Sequence, residues 1–283
     1  MESGNWERYP GYRFRITVFI IMFLSLSTGY RSLWAETLPF ELPKELMTTH
    51  GPIPPVCFLR FTGEGDKKEP LDLKLSACLK YKQKYNKSAL ERGFLGYNLD
   101  SSEPKMRQVS IFYRYIGTVK KNNKTGYIFE LNYSGGGSGF FSSLIELSLK
   151  DNILSFSKYI AGGDRCFGGI ESAAIKDNVL HYKLRQTPHM MVEAGDKIAH
   201  VEAFSTLTLD DCAVCCIGFL LMKDEKITGF QFNGTIPEAE PDNRQQLCFN
   251  SLIKSNGAEN KATLDKKQFN KLQKEIISTC IRL

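Results

Sequence analysis

Across the centre of the chain, apolar and polar side chains alternate with the two-residue period of a half-buried strand. Residues 108–119 (QVSIFYRYIGTV), 126–133 (GYIFELNY), 140–149 (FFSSLIELSL) and 153–160 (ILSFSKYI) are rich in β-branched and aromatic residues, which suit a pleated surface. Turn-forming residues separate them. Lys121, Asn122, Asn123 and Lys124 stand between the first two segments, and Asp151 and Asn152 stand between the last two. Two residues that tolerate positive φ, set between alternating segments, predict a hairpin with a primed turn. The pattern continues at residues 173–175, turns at 176–178, and resumes at 179–184. Further strands are expected at 204–209, 212–222 and 227–233, with a turn at Asp224 and Glu225. Short strands at this spacing, with no helix between most of them, predict an antiparallel meander. Such a sheet wets one face or closes toward a barrel.

The period changes to that of a helix at both ends. Leu71, Leu75, Cys78, Leu79 and Tyr85 recur at helical spacing over residues 70–86. Near the C-terminus, Asp242 or Asn243 can cap a helix over residues 244–254. Asp265 with Gln268 forms a capping box for a second, whose stripe is Phe269, Leu272, Ile276 and Cys280. The predicted fold is α+β and mainly β. It is an antiparallel β-meander sheet or partly closed barrel, with an N-terminal helix and a C-terminal disulfide-linked helix pair. The expected organisation is a signal peptide over residues 1–35 and an extended, proline-rich lead-in over 36–69. A helix plus antiparallel β domain follows over 70–236, then a helical hairpin packed on the sheet over 237–283.

The leader changes where such a domain would live. Arg8, Arg13 and Arg15 precede an uncharged apolar run of twelve residues at 16–27, and Ala35 ends a plausible cleavage motif. The run is shorter than the ~20 residues of a spanning helix, so a cleaved signal peptide is predicted, with no transmembrane segment after cleavage. Eight cysteines agree with a periplasmic or secreted location: Cys57, Cys78, Cys166, Cys212, Cys215, Cys216, Cys248 and Cys280. Cys57 is expected to pair with Cys78, Cys248 with Cys280, and Cys166 with one of the Cys212 to Cys216 cluster. Removing a leader with four Arg and two Glu takes the net charge from +6 to +6 − 2 = +4. The lysines are scattered, which argues against nucleic acid. Sequons stand at Asn86, Asn123, Asn132 and Asn233.

Chemical motifs are sparse. The Cys212, Cys215, Cys216 cluster has Cys-x-x-Cys spacing, but its strand-like flanks favour structural disulfides over a redox dithiol or a zinc site. Residues 162–169 (GGDRCFGG) set two glycine pairs around Asp164, Arg165 and Cys166, which reads first as a tight connection between strands pinned by a bridge and, as the functional alternative, as a shaped loop that presents Asp164 and Arg165 to a partner. The glycine run 135–139 lacks the ending of a phosphate loop and reads as a hairpin loop at the same end of the sheet. His189, Met190, Met191 and His200 fit core packing better than a soft-metal site. No Gly-x-Ser-x-Gly elbow is present. These features predict a protein that acts by binding, an inhibitor, immunity-type or envelope accessory protein, rather than an enzyme. No cofactor or metal is expected. Its partner is expected to be another protein or an envelope component, met by Asp164, Arg165, Gly136 and Gly163. The alternatives are an exported enzyme with thiol-redox or hydrolytic chemistry, or a metal-binding protein.

Overall fold

Four two-residue turns set the architecture. Asn122 and Asn123, Asp151 and Asn152, Asp177 and Asn178, and Asp224 and Glu225 all take positive φ. Positive φ at both central residues is the primed geometry whose twist matches the flanking strands. The computed structural model describes residues 38, 40–48, 51–62, 72–76, 87–98, 109–135, 138–194 and 208–281. The fold below belongs to the unit Pro39–Leu283.

After a 3-10 turn at Lys44–Leu46 come β1 (Met47–Thr48), β2 (Gly51–Pro52) and a second 3-10 turn, Pro55–Phe61. Then follow β3 (Asp72–Lys74), α1 (Lys87–Glu91), β4 (Leu95–Asn98), β5 (Val109–Lys121), β6 (Lys124–Gly135), β7 (Phe141–Lys150) and β8 (Ile153–Asp164). The second half holds β9 (Ile170–Lys176), β10 (Val179–Gln186), α2 (Pro188–Glu193), β11 (Gly218–Lys223) and β12 (Lys226–Phe232). It ends with α3 (Arg244–Ser255), β13 (Thr263–Asp265) and α4 (Lys266–Thr279).

The strands form a small β1-β2 pair and two larger antiparallel sheets. One has six strands in the order β3-β8-β7-β6-β5-β4, the other five in the order β13-β12-β11-β10-β9. One sheet curls into a half-barrel. The fold is therefore mainly β and antiparallel, as the alternation predicts, but the expected single meander is split in two. The break falls after β8, where residues 165–169 carry the chain out of the first sheet and into the second.

Three apolar layers hold these parts. On one face of the six-stranded sheet, Phe58 of the lead-in packs on Tyr113 and Phe129, with ring centroids 4.4 and 5.1 Å apart. The Tyr113 hydroxyl donates to the Ile53 carbonyl at 2.8 Å. Its other face contributes Val119, Ile128 and Leu144 to a cluster with Ile170, Leu180 and Tyr182 of the second sheet. Farther along, Leu220, Phe230 and Phe232 pack on Phe249 and Ile253 of α3 and on Phe269, Leu272 and Ile276 of α4. Each such aromatic or aliphatic side chain gains roughly 1.5–3 kcal/mol by burial. Both helices begin as predicted. The Asn243 side chain accepts from the Gln246 N–H, and Asp265 with Gln268 completes the capping box. The Cys248–Cys280 disulfide then joins α3 to the end of α4.

Two expectations are corrected. Asp72–Lys74 is an edge strand, not part of a helix over 70–86, and residues 77–86 lie outside the described residues. Leu73 and Leu75 are buried while Asp72 and Lys74 are exposed, so a period of two overrides the helical spacing there. Residues 212–217 are not strand either. The Cys212–Cys215 disulfide brings those Cα atoms to 5.1 Å, whereas three residues of strand span about 10 Å. Of the strand expected at 204–209, residues 208 and 209 are irregular and 204–207 lie outside the described residues.

Candidate binding site

β6 is buried along residues 126–132 because it has a layer on each side. Its odd positions, Phe129 and Leu131, face the lead-in. Its even positions, Ile128, Glu130 and Asn132, face the other way. Ile128 joins the apolar cluster between the sheets. Beyond the edge of that cluster the same face turns polar. Cross-strand register sets Arg114 opposite Glu130, and Phe112 and Ser142 on either side of Asn132. These residues line a cavity of about 270 Å³. Its walls are Arg92 and Phe94 from the segment between α1 and β4, Phe140 before β7, Ile170 and Glu171 of β9, and Arg185 of β10.

The electrostatics follow from burial. Glu130 is only 3% exposed, and an unpaired carboxylate there would cost several kcal/mol. Arg114 supplies the partner, with its Nη2 donating to Glu130 Oε2 at 2.5 Å. Burial still wins. It raises the Glu130 carboxyl above its ordinary value despite the opposing charge and hydrogen bond of Arg114 and the charge of Arg185. Arg185 Nε donates to Glu171 at 2.8 Å, and Arg92 Nε donates to the Ser88 carbonyl at 3.2 Å. Aromatic rings back two of the guanidinium groups, Arg114 over Phe94 at 5.0 Å and Arg92 over Phe112 at 5.9 Å. Arg114 Nε is buried with no acceptor. Ser142 Oγ is committed to the scaffold, accepting from the Ile170 N–H at 2.7 Å and thereby tying β7 to β9.

The loop expected to carry the site stands at the rim. Phe140, which lines the cavity, donates its N–H to Asp164 Oδ1 at 2.9 Å, and its carbonyl accepts from the Arg165 N–H at 3.3 Å. Arg165 Nε also donates to Asp164 Oδ1 at 3.0 Å. Burial pushes the Asp164 carboxyl up, but the hydrogen bonds from Arg165 and Phe140 and the Arg165 charge outweigh it. The carboxyl sits below its ordinary value. Asp164 and Arg165 are thus brought together, but as partners of each other and of the cavity wall. Gly163 is an architectural residue, since a Cβ there would meet the Phe167 carbonyl oxygen at 1.7 Å. Gly136 lies outside the described residues. The loops around 139–140 and 162–166 do share one end of the sheet, as expected.

Cys166 bonds to Cys216 and Cys212 to Cys215. Cys57 is also disulfide-bonded, while its expected partner Cys78 lies outside the described residues. The Cys166 N–H donates to the Ala213 carbonyl at 3.2 Å, so the cluster pins the rim loop. His189 Nε2 meets Glu193 Oε1 at 3.1 Å across one turn of α2, and Met191 is buried under α4; His200 lies outside the described residues. No group of three or more His, Cys, Asp or Glu that could hold a metal ion occurs among the described residues. Among them, too, no helix is long and apolar enough to cross a membrane.

Compared with known families, curated proteins and solved structures, the chain matches none. The site therefore rests on its own chemistry. Arg114, Glu130 and Asn132 were missed in the sequence although a signal exists. Alternation along 126–133 sets Glu130 and Asn132 on the face of Ile128, and two polar residues on a buried face of a central strand are unusual.

Proposed function

We propose that the protein is exported and acts by binding, as an inhibitor, immunity-type or envelope accessory protein, and not by catalysis. The observation that carries this reading is the cavity: three guanidinium groups and three phenylalanine rings converge on one polar recess. Convergent polar groups on an apolar wall characterise a binding pocket. The scaffold around it is cross-linked by Cys166–Cys216, Cys212–Cys215 and Cys248–Cys280, which suits an oxidising compartment. The partner, another protein or an envelope component, docks over the rim formed by the Asp164 and Arg165 loop and Phe140.

Charge reversal at the rim tests the reading. Arg165→Glu together with Arg92→Glu should abolish stoichiometric capture of a partner from the envelope and secreted fractions. The far-ultraviolet circular dichroism should stay unchanged. Recovery of the same proteins by wild type and variant would sink the assignment.

A further inference from the structure

We propose that the cavity is a receptor for a single carboxylate carried on a flat apolar group, as in a small aromatic acid. The proposal goes beyond the binding reading, in which a partner meets the rim, and gives the cavity behind that rim a small-molecule ligand of its own.

Charge sets the anion. The lining holds Arg92, Arg114 and Arg185 against Glu130 and Glu171, so its formal charge is +3 − 2 = +1. One negative charge neutralises it, and a phosphate dianion overshoots. Donor supply points the same way. A guanidinium has five N–H donors, and among the described residues each of the three arginines donates one side-chain hydrogen bond. A planar fork with spare donors is shaped for a planar two-oxygen acceptor. The Asn132 amide, 9% exposed on the cavity floor, also makes no side-chain hydrogen bond among the described residues.

The walls set the rest of the ligand. Phe94, Phe112, Phe140 and Ile170 give the cavity an apolar side beside its guanidinium groups. The ring contacts to Arg114 and Arg92 hold two of those groups in place before a ligand arrives. At about 270 Å³ the space lies just under the range of drug-sized pockets, ~300–1,000 Å³. It takes one ring and its acid group, not a chain of several units.

Calorimetric titration of the full, disulfide-bonded chain at pH 7 with benzoate, acetate and inorganic phosphate tests this. Benzoate should bind saturably with a stoichiometry of one, acetate more weakly, and phosphate no better than acetate. Arg185→Gln removes a charge-assisted donor and should weaken benzoate roughly tenfold or more, while Lys226→Gln, an exposed lysine on β12, should not change it. Arg92→Gln carries the same expectation as Arg185→Gln should the latter not fold. No saturable benzoate signal, an unchanged affinity in both arginine variants, or tighter phosphate than benzoate would overturn the proposal. The two readings fail separately. Capture lost on rim charge reversal with benzoate unbound removes the carboxylate and keeps the partner; benzoate bound with no partner captured does the reverse.

Discussion

Glu130 is an acid inside a sheet, and Arg114 across the strand holds it there. Removing either partner leaves a charge in a place built for a pair. Arg114→Ala and Glu130→Ala should each cost about 2–4 kcal/mol in urea unfolding. The double variant Arg114→Met with Glu130→Leu should recover much of that loss, since an apolar pair fits the same volume without the desolvation cost. If the double alanine variant loses as much as the sum of the two alanine singles, the two residues are not a coupled pair. Asp164 and Glu130 should also impose opposite pH dependences. Asp164 lies below its ordinary 3.8, so its stabilisation is present above pH 3.8 and fades as pH falls through the folded value. Glu130 lies above its ordinary 4.5, so its contribution is whole below pH 4.5 and is lost as pH rises through the folded value. Asp164→Asn should flatten the acid limb of a stability against pH curve and Glu130→Gln the opposing slope. At this scale the sequence was half legible. Alternation shows which residues share a face, but not which part of a face the second sheet leaves uncovered, because that depends on where the chain changes sheets.

The hairpins and C-terminal helices were legible because their causes are local. Paired Asn and Asp residues dictate the turns, and Asp265 with Gln268 dictates the start of α4. Asp72–Lys74 and the cysteine cluster were misread for a shared reason: tertiary constraints overrode a local pattern. β8 recruits β3 as its edge partner, and the Cys212–Cys215 bond folds its segment back on itself. The bridges should differ in worth. In the chain-entropy model Cys212–Cys215, with a separation of 3, contributes about 2 kcal/mol, whereas Cys166–Cys216 and Cys248–Cys280, with separations of 50 and 32, contribute about 4 kcal/mol each. Cys280 is fully buried and Cys166 nearly so, while Cys212 and Cys215 are half-buried. Mild reductant should therefore open Cys212–Cys215 first, with little loss of thermal stability, as thiol alkylation and mass mapping would show. Early loss of Cys248–Cys280 would contradict this ordering.

For the molecule as a whole, burial sorts the sequons. Asn132 lies on the cavity floor, and Asn233 donates its side-chain amide to the Cys216 carbonyl at 2.8 Å. Asn123 stands exposed in the turn between β5 and β6. Folded protein secreted from a eukaryotic host should carry glycan at Asn123 and none at Asn132, a distribution that peptide mapping after glycosidase treatment reads directly. The division into two sheets was not visible in advance, since nothing in residues 165–169 distinguishes a turn within a sheet from an exit to another. The strand order carries one more consequence, for the time course of folding. Neighbours from β4 to β8 are consecutive in sequence, so each can zip onto the last as it forms. β3 is the exception. Asp72 pairs with Ser155, 155 − 72 = 83 positions later, so it waits for β8 and pays a larger loop-closure cost. In pulse-labelled hydrogen exchange during refolding, amides of β5, β6 and β7 should gain protection before the Leu75 amide, which donates to the Asn152 carbonyl. Until then the start of β8, Ile153–Ser155, is a bare row of donors and acceptors, a place where a second unfolded copy would add itself.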